Sequence, residues 1–97
     1  MESPLTRLEI VLSLQVTSVF HHAFRALERR LDWASPTYTI EGGIAVLTFV
    51  ISPTLSAASI EYIVLQEMDR FGLGAKVLEV RERHAKIDLS GGHAPGT

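Results

Sequence analysis

Thr37-Tyr38-Thr39-Ile40-Glu41-Gly42-Gly43-Ile44-Ala45-Val46-Leu47-Thr48-Phe49-Val50-Ile51 is the stretch that decides the fold. Two runs rich in β-branched and aromatic residues flank a Gly-Gly pair. A two-residue hairpin turn needs positive φ at its centre, which glycine supplies, so the stretch predicts a β-hairpin. A loop that short also fixes the register. Ile40 then faces Ala45, Tyr38 faces Leu47, and Pro36 lies near Phe49, all on the face expected to carry helices. Thr39 with Val46, and Thr37 with Thr48, share the opposite face.

On the N-terminal side, Leu8, Ile10, Leu12, Leu14 and Val16 alternate with Glu9, Val11, Ser13, Gln15 and Thr17. That period of two predicts a strand with one buried face. Ser18 is placed to cap a helix. Phe20, Ala23, Phe24, Leu27 and Leu31 follow at helical spacing, with Arg25, Glu28 and Arg29 on the other side. Trp33 to Pro36 read as a connector, with Trp33 a lid over the core below the helix.

On the C-terminal side, Ser52-Pro53-Thr54 ends the third strand and starts a second helix, proline being well suited to a first turn. Ile60, Ile63, Val64, Met68 and Phe71 form its buried stripe, and Gly72 and Gly74 stop it. A fourth strand runs from Ala75 to about Arg83, with Leu78 and Val80 inward and Val77, Glu79 and Arg81 outward. Lys86 to Leu89 alternate again and suggest a short extra strand. Residues 91–97 read as a disordered tail. The order is therefore strand–helix–strand–strand–helix–strand. It predicts one α+β domain over residues 1–90, a ferredoxin-like βαββαβ sandwich with a four-stranded antiparallel sheet and two helices on one face.

Composition narrows the function classes. There is no cysteine, which removes disulfides, thiolate metal sites and cysteine nucleophiles. A net charge of −2 gives no general grip on nucleic acid. The apolar runs are too short to span a bilayer. The stretch Met1 to Arg7 lacks the basic-then-apolar layout of a secretory signal, so a cytoplasmic location is expected, with no membrane partner.

Catalytic chemistry finds no anchor. His21 and His22 are adjacent on a helix, about 100° apart, which does not suit joint chelation of one metal, and His84 is expected at the far end of the sheet. No His-x-x-x-His spacing occurs, and no metal or cofactor is expected. Ser18, Ser56 and Ser59 read as helix-start and helix-surface residues, with no Gly-x-Ser-x-Gly elbow. Asp32 and Glu41 come from opposite ends of the second strand and make a poor acid–base pair. Arg29, Arg30, Arg81, Arg83 and Lys86 could gather at one end, but Glu28, Glu79 and Glu82 are interleaved, favouring surface ion pairs. The open sheet face lacks the aromatic residues on which RNA bases stack in folds of this shape.

Two surfaces stand out as interfaces. One is the open sheet face, carrying Val11, Val46, Thr48, Val50 and Val77 with no charge expected over its centre. The other is the back of the second helix, where Ala58, Tyr62 and Leu65 fall away from the buried stripe. A chain this short gains from burying more apolar area.

From Leu8 to Arg83 the layout resembles an ACT-type regulatory domain, a class that includes small regulatory subunits of amino-acid biosynthetic enzymes. The run Val46-Leu47-Thr48-Phe49-Val50-Ile51-Ser52-Pro53 leading into the second helix is similar in style. That family usually binds an amino acid at a glycine-containing turn between first strand and first helix. Here the corresponding Gln15-Val16-Thr17-Ser18-Val19-Phe20 has no glycine. The resemblance thus implies dimerisation or regulation of a partner rather than a ligand. The expected function is a non-catalytic regulatory or interaction module, acting as a homodimer or with a larger partner. One alternative is a dimeric α/β-barrel enzyme of the small monooxygenase or cyclase type, with a pocket near Trp33, Tyr38, His21 or His22. Another is a structural subunit of a larger assembly.

Overall fold

A computed structural model describes residues 5–52 and 56–85, with the backbone alone at residues 84 and 85. The elements are β1 (Leu5–Ser13), α1 (Phe20–Arg30), a single 3-10 turn (Asp32–Ala34), β2 (Thr37–Glu41), β3 (Ile44–Ile51), α2 (Ala57–Arg70) and β4 (Lys76–Ala85). The strands form one antiparallel sheet in the order β2-β3-β1-β4. This is the ferredoxin-like α+β arrangement that the periodicities predict. The expected extra strand at residues 86–89 and the tail at 91–97 lie outside the described residues.

The hairpin forms as its glycines require. Gly42 and Gly43 take φ of 57° and 80°, both in the left-handed region of a primed turn. The register follows: Ile40 pairs with Ala45, Tyr38 with Leu47, Thr39 with Val46 and Thr37 with Thr48.

One face of the sheet supplies Leu8, Ile10, Leu12, Ala45, Leu47 and Phe49 to the core. The helices supply Phe20, Ala23, Phe24 and Leu27 from α1, and Ile60, Val64 and Met68 from α2. One cluster holds both sets, so both helices cover the same face. Each large side chain buried there contributes about 1.5–3 kcal/mol.

β1 ends at Ser13, and Val16 is exposed rather than on the buried face. The chain leaves the ladder because other partners take its amides. Leu14 N–H donates to the Gly43 carbonyl at 2.8 Å, and the N–H groups of Gln15 and Val16 donate to the Leu73 carbonyl at 2.9 and 3.1 Å. Leu73 is itself fully buried between α2 and β4. Ser18 does not cap α1. The helix starts after Val19 without a side-chain cap, and Phe20 N–H donates instead to the Thr17 carbonyl at 3.0 Å. α2 begins later than Pro53 and Thr54 suggest. Its cap is Ser56, whose hydroxyl accepts from the Ala58 N–H at 3.1 Å.

β4 departs from strict alternation. Val11 pairs with Glu79 but Leu12 pairs with Val77, so Leu78 is an inserted residue in a β-bulge. Val77 therefore joins Val80 on the core side, and Leu78 is 53% exposed. Both expected orientations, Val77 outward and Leu78 inward, are reversed by that one residue.

Candidate interaction surface

With both helices on one face, the other face of the sheet stands open, and the register maps it strand by strand. β2 contributes Thr37, Thr39 and Glu41; β3 contributes Ile44, Val46, Thr48 and Val50. Arg7, Glu9, Val11 and Ser13 come from β1, and Lys76, Glu79, Arg81 and Arg83 from β4. Of the expected interface residues, Val11, Val46, Thr48 and Val50 are brought together here. Val77 is not, because the bulge turns it to the core.

The face is divided electrostatically. Over β2 and β3 it is uncharged apart from Glu41 at the turn. Over β1 and β4 it carries an ion-pair cluster that corrects the expectation of an uncharged centre. Arg81 Nε and Nη2 donate to both oxygens of Glu79 at 2.8 and 3.1 Å, and Arg81 Nη1 donates to Glu9 at 3.3 Å. The hydrogen bonds from Arg81, and then its charge, hold the Glu79 carboxyl below the ordinary carboxylate range. The same pairing raises the Arg81 guanidinium, which stays protonated.

The second expected surface is smaller than the sequence suggests. Tyr62 on α2 is 65% exposed, but Leu65 packs against the core cluster. Leu65 sits one residue beyond buried Val64, about 100° round the helix, at the flank of the stripe rather than its back.

The remaining candidates are scattered. Trp33 is no lid: it is 58% exposed on the 3-10 turn, while the smaller Leu31 and Ala34 fill the core beside it. The His21 and His22 rings lie 4.0 Å apart, tilted by 36°, on the exposed start of α1. No group of three or more His, Asp or Glu side chains converges among the described residues. Tyr38 packs its ring against Phe20 at 5.0 Å and Phe24 at 4.5 Å. A surface dimple on α1 and the following turn is lined by Arg25, Glu28, Arg29 and Asp32, two charges of each sign. The arginines do not gather. Arg30 points to α2, where it meets Glu67 at 2.8 Å, while Arg81 lies on the open sheet face. Glu67 is the buried ionisable residue that sequence reasoning missed. It falls on the apolar stripe between Val64 and Met68, and that position was its only signal.

No described helix is long and apolar enough to cross a membrane. Compared with protein-family models, curated proteins and solved structures, the chain gives no match.

Proposed function

We propose that this domain is a non-catalytic interaction module of the regulatory kind, working as a homodimer through its open sheet face. The observation that carries this reading is the uncharged half-face of Thr39, Ile44, Val46, Thr48 and Val50, continued by Val11 on β1. Adjacent β-branched side chains there make a broad surface that water covers poorly, and such patches mark contacts. A core of this size also leaves stability to be gained by association. The enzymatic alternative needs room between sheet and α1 beside Tyr38, and the rings of Phe20 and Phe24 occupy that space.

Sedimentation of the wild type, Val46→Lys and Tyr62→Lys tests the proposal. A dimer that Val46→Lys dissociates and Tyr62→Lys leaves intact is expected, since an unpaired charge buried in a contact is costly. The reverse pattern moves the contact to α2. A wild type that stays monomeric at micromolar concentration ends the homodimer reading and leaves a larger partner to cover the face.

A further inference from the structure

The two edges of the sheet are built differently. β4 is the edge beside β1, and it carries Lys76, Glu79, Arg81, Glu82 and Arg83 together with the bulge at Leu78. Charges and bulges are the usual means of keeping an edge from pairing with another strand. β2 is the other edge and has no such protection. Its register against β3 is unbroken, Thr37-Tyr38-Thr39-Ile40 carries no charge, and every residue of the strand is exposed.

The hairpin decides which backbone groups that edge offers. In a two-residue hairpin the residues flanking the turn, here Glu41 and Ile44, exchange both hydrogen bonds, and bonded and non-bonded pairs alternate from there. Glu41, Thr39 and Thr37 therefore turn their N–H and C=O groups toward β3, while Tyr38 and Ile40 turn theirs outward. No hydrogen bond among the described residues reaches those outward groups. The side chains of the same two residues are only partly covered, Tyr38 being 38% and Ile40 37% exposed.

We propose that the β2 edge pairs with the β2 edge of a second copy, antiparallel about a two-fold axis at Thr39. In that register Tyr38 lies across from Ile40 of the second copy, and the outward N–H and C=O groups of each copy meet those of the other. The neighbouring symmetric registers do not achieve this. Tyr38 set across from Tyr38 puts Ile40 against Pro36, which has no N–H to donate. Ile40 set across from Ile40 puts Tyr38 against Gly42, whose φ of 57° belongs to the turn and not to a strand. The side chains agree with the backbone. Tyr38 and Ile40 lie on the helix-covered face, so an aromatic and a β-branched side chain face each other twice. Thr39 meets Thr39 on the open face, and Glu41 falls across from Thr37, so no like charges are opposed. A two-fold axis makes the contact closed and self-complementary, and it joins the two four-stranded sheets into one with all helices on the same side.

Cysteine crosslinking tests the pairing, because the chain has no cysteine of its own. Facing residues in non-bonded antiparallel pairs have Cα atoms about 4.5 Å apart, within the span of a disulfide. Under a copper–phenanthroline oxidant, Thr39→Cys should crosslink to itself at least about tenfold faster than Thr37→Cys, whose thiols lie four residues out of register in the dimer. Thr37→Cys mixed with Glu41→Cys should form the mixed disulfide in preference to either self-crosslink. Ile40→Pro removes only an outward N–H, a change that edge strands accept, and in the Thr39→Cys background it should slow crosslinking to the Thr37→Cys rate. If Ile40→Pro unfolds, the mixed disulfide still decides the register. The contact uses the edge and not the open face, so it stands or falls apart from the proposal above. Crosslinking of Thr39→Cys that persists in a Val46→Lys background separates the two contacts. Val46→Cys crosslinking while Thr39→Cys stays inert leaves the open-face dimer standing and overturns the edge pairing. Equal yields at positions 37, 39 and 46 show random collision and overturn it as well.

Discussion

Arg30, the last residue of α1, reaches across the helix seam and donates from Nη1 to Oε2 of Glu67 on α2 at 2.8 Å. The same nitrogen also meets the Gln66 side-chain oxygen at 2.9 Å, and Arg70 takes the other Glu67 oxygen at 2.9 Å. Glu67 is 1% exposed, so these bonds replace its hydration. Both arginines stay partly in water, which limits the net gain from the pairs. Glu67→Ala should cost about 1–3 kcal/mol, as for other lost buried hydrogen-bonding groups. Glu67→Met keeps the shape and fills an apolar stripe, so it should be near neutral or stabilising. Urea unfolding of both variants measures this. Equal losses would mean that the ion pairs, not the packing, hold the helices together.

Phe24 faces Tyr38 at 4.5 Å and Phe20 at 6.2 Å, joining α1 to the edge strand β2. Phe24→Ala should remove about 3–5 kcal/mol, the usual cost of truncating a buried aromatic. The tyrosine fluorescence or ring resonances of Tyr38 should shift with it. A stable Phe24→Ala protein with an unchanged Tyr38 signal would place the helix elsewhere.

Gly74 and Gly42 separate backbone strain from crowding. Both take positive φ, 61° and 57°, where an alanine costs about 1–2 kcal/mol. A Cβ on Gly42 meets nothing within 4 Å, whereas one on Gly74 comes within 3.0 Å of the Gln15 side chain. Gly74→Ala should therefore be the more damaging of the two by denaturant midpoint. Gln15→Ala in the Gly74→Ala background should recover part of the difference. Equal midpoints for the two glycine variants would show that the β1–α1 connection yields freely.

The hairpin was legible because two glycines fix a turn and a turn fixes a register, and the pairings of Thr37, Tyr38, Thr39 and Ile40 followed from that, while the ladder begins at Thr37 and leaves Pro36 outside it. The helix stripes were legible because Phe20, Phe24 and Leu27, like Ile60, Val64 and Met68, repeat at helical spacing. What the sequence hid depends on long-range partners. Gln15 and Val16 extend the β1 alternation, but their amides bond to Leu73, nearly sixty residues away, so the strand stops early. Glu67 sits at a core position that a charge alone would forbid, and it is tolerated because Arg30, from the other helix, and Arg70, three residues on, each take one of its oxygens. Trp33 has core composition, but the 3-10 turn points smaller neighbours inward instead. On the open face, Val11, Val46, Thr48 and Val50 were readable from period two. Arg81 reaching Glu9 was not, because their proximity depends on the bulged register of β4.

That bulge makes adjacent residues of β4 respond oppositely to charge. Val77 packs against the core cluster, and Leu78 is exposed. Val77→Asp should destabilise by about 1–3 kcal/mol, through a charged group set against the core at a partly buried position. Leu78→Asp should fall within about 0.5 kcal/mol of wild type, as exposed substitutions usually do. Thermal melts of the two proteins compare them directly. A strand without the bulge would reverse the order.

Glu79 gives the open face a pH signature. Its carboxylate accepts two hydrogen bonds from Arg81, and these, followed by the arginine charge, lower its pKa in the folded protein. In acid the folded state then binds fewer protons at this site than the unfolded chain does. The stabilising contribution is complete above the unfolded pKa and is lost as pH falls through the folded value. Glu79 is solvent-exposed, so salt should weaken the effect. Carboxyl carbon resonances followed through an acid titration should show Glu79 titrating below the ordinary carboxylate range. In Arg81→Ala the same resonance should move back up toward that range, with a smaller response to added salt. An Arg81→Ala protein whose Glu79 titration is unchanged would mean that the guanidinium does not hold this carboxylate in solution.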